Sequence, residues 1–352
     1  MATTLKDVAR EAGVAVNTAS KVLRGDPHPM VSIKTRERIM EAARRLRYRH
    51  NLHARQLRTG RSEVVGILAG ALREGVNLAR FQAVEHAIRA RGCRTLLGHA
   101  AGEPELQLQF AKDFASNMAE GVVVLSTLLG YRYSLELLNE WRIPIVSLEP
   151  LDGVKADVVT VDRREGARLA TRHLLELGHR RIAMLHGGMK TPTMAERHQG
   201  FREALTGHGC PLEEAPLIQM DPTTSGGVCA RGEATAWRLL ALRPLPTAVL
   251  CSNDEVAIGV MKTLAEAGVR VPEEMAVVGF DDIYIAAHLP VPLTTIAQPV
   301  EEQAARAVAL LFERIEDPDL ERPPQVIRLA PRLVVRASCG ASSAGEERRA
   351  AD

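Results

Sequence analysis

Residues 4–20 read TLKDVAREAGVAVNTAS, and their spacing predicts two short helices joined by a glycine turn. Leu5, Val8, Ala9 and Ala12 recur at helical intervals, so one face of the first helix is apolar. Thr4 followed three residues later by Asp7 is a capping-box pattern that starts this helix. Gly13 can adopt the left-handed conformation that ends it and lets a second helix cross it. Val14, Ala19 and Val22 then pack inward, which leaves Val16, Asn17, Thr18, Ser20 and Lys21 on an outer face of small polar groups. A helix presenting such a face after a glycine turn has the form of the recognition helix of a helix-turn-helix unit.

Helical hairpins with glycine turns also occur in bundles that bind nothing, and charge decides between the two readings. Residues 1–61 hold 14 Lys and Arg against 5 Asp and Glu, leaving 31 against 38 of the chain's 45 and 43 for the remainder. A basic unit attached to an acidic body is the footprint of a protein that binds the phosphate backbone of DNA. A third helix is expected from about Ser32, with Ile33, Ile39, Ala42, Ala43 and Leu46 inward and Arg36, Arg44, Arg45 and Arg47 outward. Residues 51–60, NLHARQLRTG, carry helix formers and an exposed Leu57 but are too short and polar for a stable isolated helix. They read as a hinge helix that forms conditionally. The headpiece is therefore expected over 1–49 and the hinge over 50–62.

The chain of 352 residues is 46% hydrophobic, 25% charged and only 3% aromatic. Its cores must be aliphatic, and binding of single strands by base stacking has little support. Cys93, Cys210, Cys229, Cys251 and Cys339 are scattered, odd in number and never in a CxxC pair, so they form neither a disulfide framework nor a zinc site. No apolar run reaches the roughly 18 residues of a membrane span, and the sequence opens on the capped helix and not on a leader. A cytoplasmic protein is expected. The polar segment 339–352 is expected to be a disordered tail.

From Glu63 the pattern changes to apolar runs of strand length alternating with helical stretches, which implies parallel sheets built from βαβ units. Strands are expected at 64–68, 95–98, 121–125, 145–148, 158–161, 181–185, 217–220, 248–251, 276–279, 294–297 and 326–335. So many strands divide naturally into two doubly wound parallel-sheet lobes within a core over 63–338. The first would take about 63–162 and 292–322, the second about 163–291 and 323–338.

Ligands of open parallel sheets sit beyond the carboxyl ends of the strands. There the sequence is polar: Glu149, Asp162, Asn253, Asp254, Asp281, Asp282 and Gln298 each follow a strand, and Arg197 lies on the helix after 181–185. Such residues also cap helices, so Asp254 or Asp282 alone reads as a cap, and only the clustering points to a ligand. Carboxylates, amides and a guanidinium in a cleft suit a hydroxyl-rich small molecule such as a sugar. Asp281 and Asp282 lack a neighbouring His and make a poor metal site, His186-Gly187-Gly188 lacks the Lys-Ser/Thr of a phosphate loop, and no Gly-x-Ser-x-Gly is present. Neither catalysis nor a cofactor is called for.

Eight ordered stretches carry a family likeness: TLKDVAREAGV at 4–14, YxxNxxARxL at 48–57, HLLELGHRRIAML at 173–185, RxxGF at 197–201, SNDxxAxG at 252–259, VVGFDD at 277–282, LTTIxQP at 293–299 and RLVVRAS at 332–338. In these the chain resembles the LacI/GalR family of bacterial transcriptional regulators. The resemblance implies a helix-turn-helix headpiece, a hinge helix and a core like type I periplasmic sugar-binding proteins, acting as a homodimeric repressor on a palindromic double-stranded operator. It places Val16, Asn17 and Lys21 at base-reading positions, Thr4, Thr18, Ser20, Ser32 and Thr35 near phosphates, Asn51 and Arg55 on the DNA, and Leu57 as a minor-groove wedge. It places the effector on Glu149, Arg197, Asn253, Asp281 and Gln298, with Asp162 a further contact. His50 stands where the family has Pro, Arg163 where Asn follows the Asp, Ala15 where a hydroxyl caps the recognition helix, and 27–30 form a short extension. A sugar-transport receptor would need a leader and no basic headpiece, and a sugar-acting enzyme is supported only by the acid-rich cleft.

Overall fold

The computed structural model describes residues 3–23, 31–48 and 61–341, except 71, 73–74, 118, 127–130, 189–190, 318 and 320–321. The chain divides into two compact units, Met1–Ser62 and Glu63–Asp352. The hinge residues His50, Asn51, Arg55 and Leu57, the extension at 27–30 and the tail from 342 onward lie outside the described residues.

In the first unit, helices α1 (Leu5–Glu11), α2 (Val16–Leu23) and α3 (Ile33–Arg45) enclose a core of Val8, Ala9, Ala12, Ala19, Val22, Ile39 and Ala42. These residues are small, so the helices approach closely without aromatic filling. Ile33 departs from expectation: it is 78% exposed. It lies six residues before Ile39, which at 100° per residue puts it about 120° round the helix from the buried stripe.

The second unit contains two parallel sheets. β1 (Val64–Ala69), β2 (Arg94–His99), β3 (Gly121–Ser126), β4 (Ile145–Ser147), β5 (Asp157–Val161) and β11 (Val326–Leu329) form the first, in the order β11-β5-β4-β3-β1-β2. β6 (Ile182–His186), β7 (Leu217–Gln219), β8 (Ala248–Cys251) and β9 (Ala276–Val278) form the second, in the order β7-β6-β8-β9. Each has an apolar cluster on both faces, packed by helices α4 (Gly75–Ala90), α5 (Pro104–Ser116), α6 (Tyr131–Glu140) and α11 (Val300–Glu316) in the first lobe. Helices α7 (Arg163–Glu176), α8 (Pro192–Gly207), α9 (Val228–Leu240) and α10 (Asp254–Glu266) cover the second. Burial on both faces explains why the strands read as continuous apolar runs.

The expected single strand at 326–335 is two strands in different sheets. β11 pairs with β5 in the first lobe, whereas β12 (Arg332–Val334) pairs antiparallel with β10 (Thr295–Ala297). Pro331 lies between them and has no N–H to continue a ladder, so the chain leaves one sheet there and joins another. The lobe limits shift accordingly. Residues 326–329 belong to the first lobe, and β10 belongs with the second, where Gly279 N donates to Thr294 O and Asp281 N to Ile296 O. The expected tail is ordered at its start: Cys339 is buried in the second lobe's core and Ala341 packs on it. A small apolar side chain beside His173 Nε2, 3.3 Å from its Sγ, fills space that a solvated tail would leave open.

Two helix pairs in the second lobe cross at glycines. A Cβ on Gly200 of α8 would collide with the Arg164 carbonyl of α7, and one on Gly259 of α10 with the Cys229 carbonyl of α9. Gly207, in the last turn of α8, has open space. We expect Gly200→Ala to lower stability by roughly 1–3 kcal/mol through forced separation of the helices, outweighing its better helix propensity. Gly207→Ala should be neutral or slightly stabilising. Thermal unfolding of the two variants checks this, and an undiminished midpoint for Gly200→Ala refutes the close crossing.

Candidate functional site

The headpiece surface follows from its caps. Thr4 starts α1 with both halves of the capping box formed: Thr4 N donates to Asp7 Oδ2 at 2.9 Å and Asp7 N to Thr4 Oγ1 at 3.4 Å. Gly13 has φ +62°, the left-handed value its turn requires. Ala15 gives α2 no side-chain cap, so its first amides rely on the Ala15 carbonyl, which accepts from Thr18 N and Ala19 N. Val16, Asn17 and Lys21 are exposed, Thr18 and Ser20 half-buried. Ser32 caps α3 by accepting from Thr35 N at 3.2 Å. The exposed end of α2 thus carries one amide, one ammonium and one apolar contact, a set able to read base edges, and its flanking helix starts offer amides and hydroxyls suited to phosphates.

In the second unit, the carboxyl ends of the strands converge on a buried set of charges. Glu149, just past β4, accepts through Oε1 from Arg80 Nη1 and from Arg163 Nη2, each at 2.8 Å. Arg80 comes from α4 of the first lobe and is 2% exposed; Arg163 opens α7 of the second lobe and is 1% exposed. Arg80 Nη2 also donates to Gln298 Oε1 at 2.9 Å, and Gln298 Nε2 donates to Asp281 Oδ1 at 2.5 Å. Arg197 of α8 faces Asp281 at 3.8 Å and stacks its guanidinium over the Phe280 ring, 4.2 Å from the centroid. At the rim, Arg328 of β11 pairs with Glu196 of α8 at 2.7 Å.

The environment sets the charge of each group. Burial works against ionisation of Glu149, but the Arg163 and Arg80 guanidiniums overcome it and hold the carboxyl below its usual range. At Asp281 burial prevails over Arg197 and Arg80, and its carboxyl is pushed up. Burial lowers Arg197 to about 10 despite Asp281, with Arg163 working in the same direction.

Four expected site residues, Glu149, Arg197, Asp281 and Gln298, are therefore brought together. Asp162 and Asn253 are not part of this bonded set. Asp162 Oδ1 caps α7 by accepting from Glu165 N, and Asn253 Oδ1 caps α10 by accepting from Val256 N, both at 2.9 Å. Arg80 was not anticipated. Its signal lay in the stripe Val76, Asn77, Arg80, Val84 and Ile88, where a charged residue occupies a core-facing position of α4. Arg163, noted only as a family departure, is the second partner of Glu149.

Asp254 is not the cap of α10, which is Asn253. It is fully buried and accepts from Thr295 Oγ1 at 2.5 Å and from Ile283 N at 2.8 Å. Asp281 and Asp282 both have positive φ, +119° and +57°. This left-handed pair turns one carboxylate toward Arg197 and the other onto Arg336, 2.6 Å away, and Asp254 pins the segment by holding the next amide. Burial, with Asp281 beside it, pushes the Asp254 carboxyl up to about 8 from 3.8. The folded protein thus keeps a proton that the unfolded chain has released, and stability falls as pH rises through that window. Asp254→Asn, neutral throughout, should flatten this decline in melting midpoint between pH 5 and 8; an unchanged profile would show Asp254 to be ionised in the fold.

A small basic helix-turn-helix unit followed by a two-lobed parallel-sheet domain with polar strand ends defines a class, the ligand-responsive DNA-binding regulators of bacteria. Residues 4–51 match the model of the lacI family of bacterial regulatory proteins, and residues 171–339 that of a periplasmic binding protein-like domain. The chain is 32% identical over 337 residues to an HTH-type transcriptional repressor PurR of Erwinia tasmaniensis, covering 95% of this chain and 96% of that one. A PurR of Vibrio cholerae is likewise 32% identical over 339 residues, with 95% and 97% covered. Among solved structures it is similar to the lac repressor dimer bound to operator and the anti-inducer ONPF, with TM-score 0.78, 25% identity and coverage of 96% and 99%. A transcriptional regulator CelR–cellobiose complex is similar with TM-score 0.68, 30% identity and the same coverage. The chain belongs to the LacI family and is a transcriptional repressor of that family, not an enzyme. No helix among the described residues is long and apolar enough to cross a membrane.

Proposed function

We propose that the protein represses transcription in the cytoplasm as a homodimer on a palindromic operator, and that a hydroxyl-rich effector, a sugar or sugar derivative, binds between the lobes. The observation that carries this reading is that the buried bonds of the cleft run from lobe to lobe. Arg163 of the second lobe reaches Glu149 of the first, and Arg80 of the first reaches Asp281 of the second through Gln298. A ligand that competes for these groups changes the bonds that fix lobe orientation. Effector affinity and lobe geometry are thereby coupled, and coupling to DNA is reciprocal. Glu149, Arg197, Asp281 and Gln298 are the effector contacts, with Asp162 and Asn253 at the strand ends beside them. The sugar-bound CelR relative supports the ligand class.

The homodimer is supported by exposed apolar residues on both lobes. Leu78 of α4 is 48% exposed, and Tyr284 and Ile285 of the turn Tyr284–His288 are 83% and 45% exposed. Gly75 at the start of α4 packs against Ile283, so the two elements adjoin. A surface contributed by both lobes responds to their relative rotation.

On DNA, Val16, Asn17 and Lys21 read bases, Thr4, Thr18, Ser20, Ser32 and Thr35 meet phosphates, and Asn51, Arg55 and Leu57 engage the operator centre. Asn17→Ala should cost about 1–3 kcal/mol on the cognate site and relax selection at one base position. Competition titrations against single-base operator variants check it, and a uniform loss on all sequences removes Asn17 from base reading. Arg197→Ala should retain operator affinity and lose the response to effector in the same titrations; a preserved response takes Arg197 out of the effector site.

A further inference from the structure

We infer that the effector carries an acidic group, a carboxylate or phosphate on a small polyol, and that Arg197 receives it with Arg163 and Arg80 behind. This inference rests on the effector site proposed above and narrows its ligand class. Three guanidiniums, Arg80, Arg163 and Arg197, share the cluster with two carboxylates, Glu149 and Asp281. The third carboxylate at its edge, Glu196, is paired with Arg328 and leaves the balance unchanged. One positive charge thus stands in excess in a buried place, where an unmatched charge is unfavourable.

The distribution of donors says where the excess lies. Glu149 uses one oxygen for two guanidiniums, and Arg163 and Arg80 are otherwise engaged with Thr160 at 2.8 Å and with Asn77 at 3.2 Å and Gln298. Arg197 is different. Its Nε is buried with no hydrogen-bond partner among the described residues, as is Arg80 Nε, but whereas the terminal nitrogens of Arg80 and Arg163 are bonded, Asp281 stands 3.8 Å from Arg197 Nη2, beyond hydrogen-bond length. The Phe280 ring fixes the guanidinium plane from one side, so a flat, pre-set fork is presented edge-on. That fork matches two oxygens of a carboxylate or phosphate.

The same contacts argue against a neutral ring held by stacking. The face of Phe280 is already covered by Arg197. Hydroxyl binding remains available to Glu149, Asp281 and Gln298, which suits the polyol part of such an acid.

The test uses the purified full-length protein and follows thermal unfolding and calorimetry with inorganic phosphate, gluconate, glucose 6-phosphate and glucose, all at ionic strength matched with sodium chloride. Phosphate and both acids should raise the midpoint saturably while glucose and chloride do not, and the tighter acid identifies carboxylate or phosphate as the group. Arg197→Met should weaken anion binding roughly ten- to hundredfold, the span of one charged hydrogen-bonding pair, and Arg197→Lys should recover only part. Glucose binding as tightly as the acids, phosphate acting no better than chloride, or an unaltered anion response in Arg197→Met would each overturn the inference. Preference for an inverted-repeat duplex, measured on the same wild-type sample, separates the two levels. Its retention with a failed anion response sinks only the acidic ligand, whereas its loss sinks the proposed function.

Discussion

One oxygen of Glu149 accepting from two buried guanidiniums is the constraint around which the core is organised. Each ion there has left water at a cost of several kcal/mol, and only short, well-aligned pairs offset it. The pairs come from different lobes, so the offset exists only while the lobes hold one relative position. Elsewhere the lobes are stiff: each sheet is covered on both faces by aliphatic clusters, and helix pairs close to glycine contact. Dense layers of this kind do not deform gradually. Freedom is therefore concentrated at the crossings, where Asp162, Gln298 and Pro331 stand, and the charges of the cleft are the groups that set it.

The left-handed pair Asp281 and Asp282 shows how the cleft is kept in shape. Non-glycine residues at positive φ are unfavourable by order 1–3 kcal/mol each and persist only when their surroundings impose them. Here the imposition is visible: Asp281 N is held by Ile296 O, Ile283 N by the Asp254 carboxyl, and the Asp282 carboxylate by Arg336. Asp254 is itself wedged beside Gly279, where a Cβ would collide with its carboxyl. The stretches SND and GFDD are thus two halves of one support. Its output is an Asp281 carboxylate aimed at Arg197 and Gln298.

Much of this was legible in the sequence wherever a pattern is local. Capping by Thr4, the turn at Gly13, the buried Ala19 and Val22 and nearly all the strands follow from local pattern, and of the six cleft residues Glu149, Asp281 and Gln298 follow from their place after a strand and Arg197 from its place on the helix after one. What was not legible depended on partners distant in sequence. A run such as 326–335 looks like one strand because both halves are extended; only Pro331 marks the exchange of sheets. Asp162 and Asn253 present oxygens that serve equally for helix amides or ligand hydroxyls, and the helix starts claimed them. Arg80 is 69 positions from Glu149 and 218 from Gln298, so nothing nearby reveals its role except its place in an apolar stripe.

The entry of the chain into the core bears on how a cleft event could leave it. Immediately after the linker, Glu63 N donates to Glu120 Oε1 at 2.7 Å and Glu63 O accepts from Arg94 N at 2.8 Å. Val64 then starts β1, the strand between β2 and β3. Glu63 is thus bonded into the first lobe where the core begins. Arg80 and Glu149 belong to the first lobe, and Arg163, Arg197 and Asp281 to the second, so under the proposed function a ligand that redistributes bonds among these five acts on the orientation of the lobe into which Glu63 is bonded. Under the proposed function, allosteric control needs no path through the interior of either lobe: the charges of the cleft set the rotation of the lobe that receives the chain at Glu63.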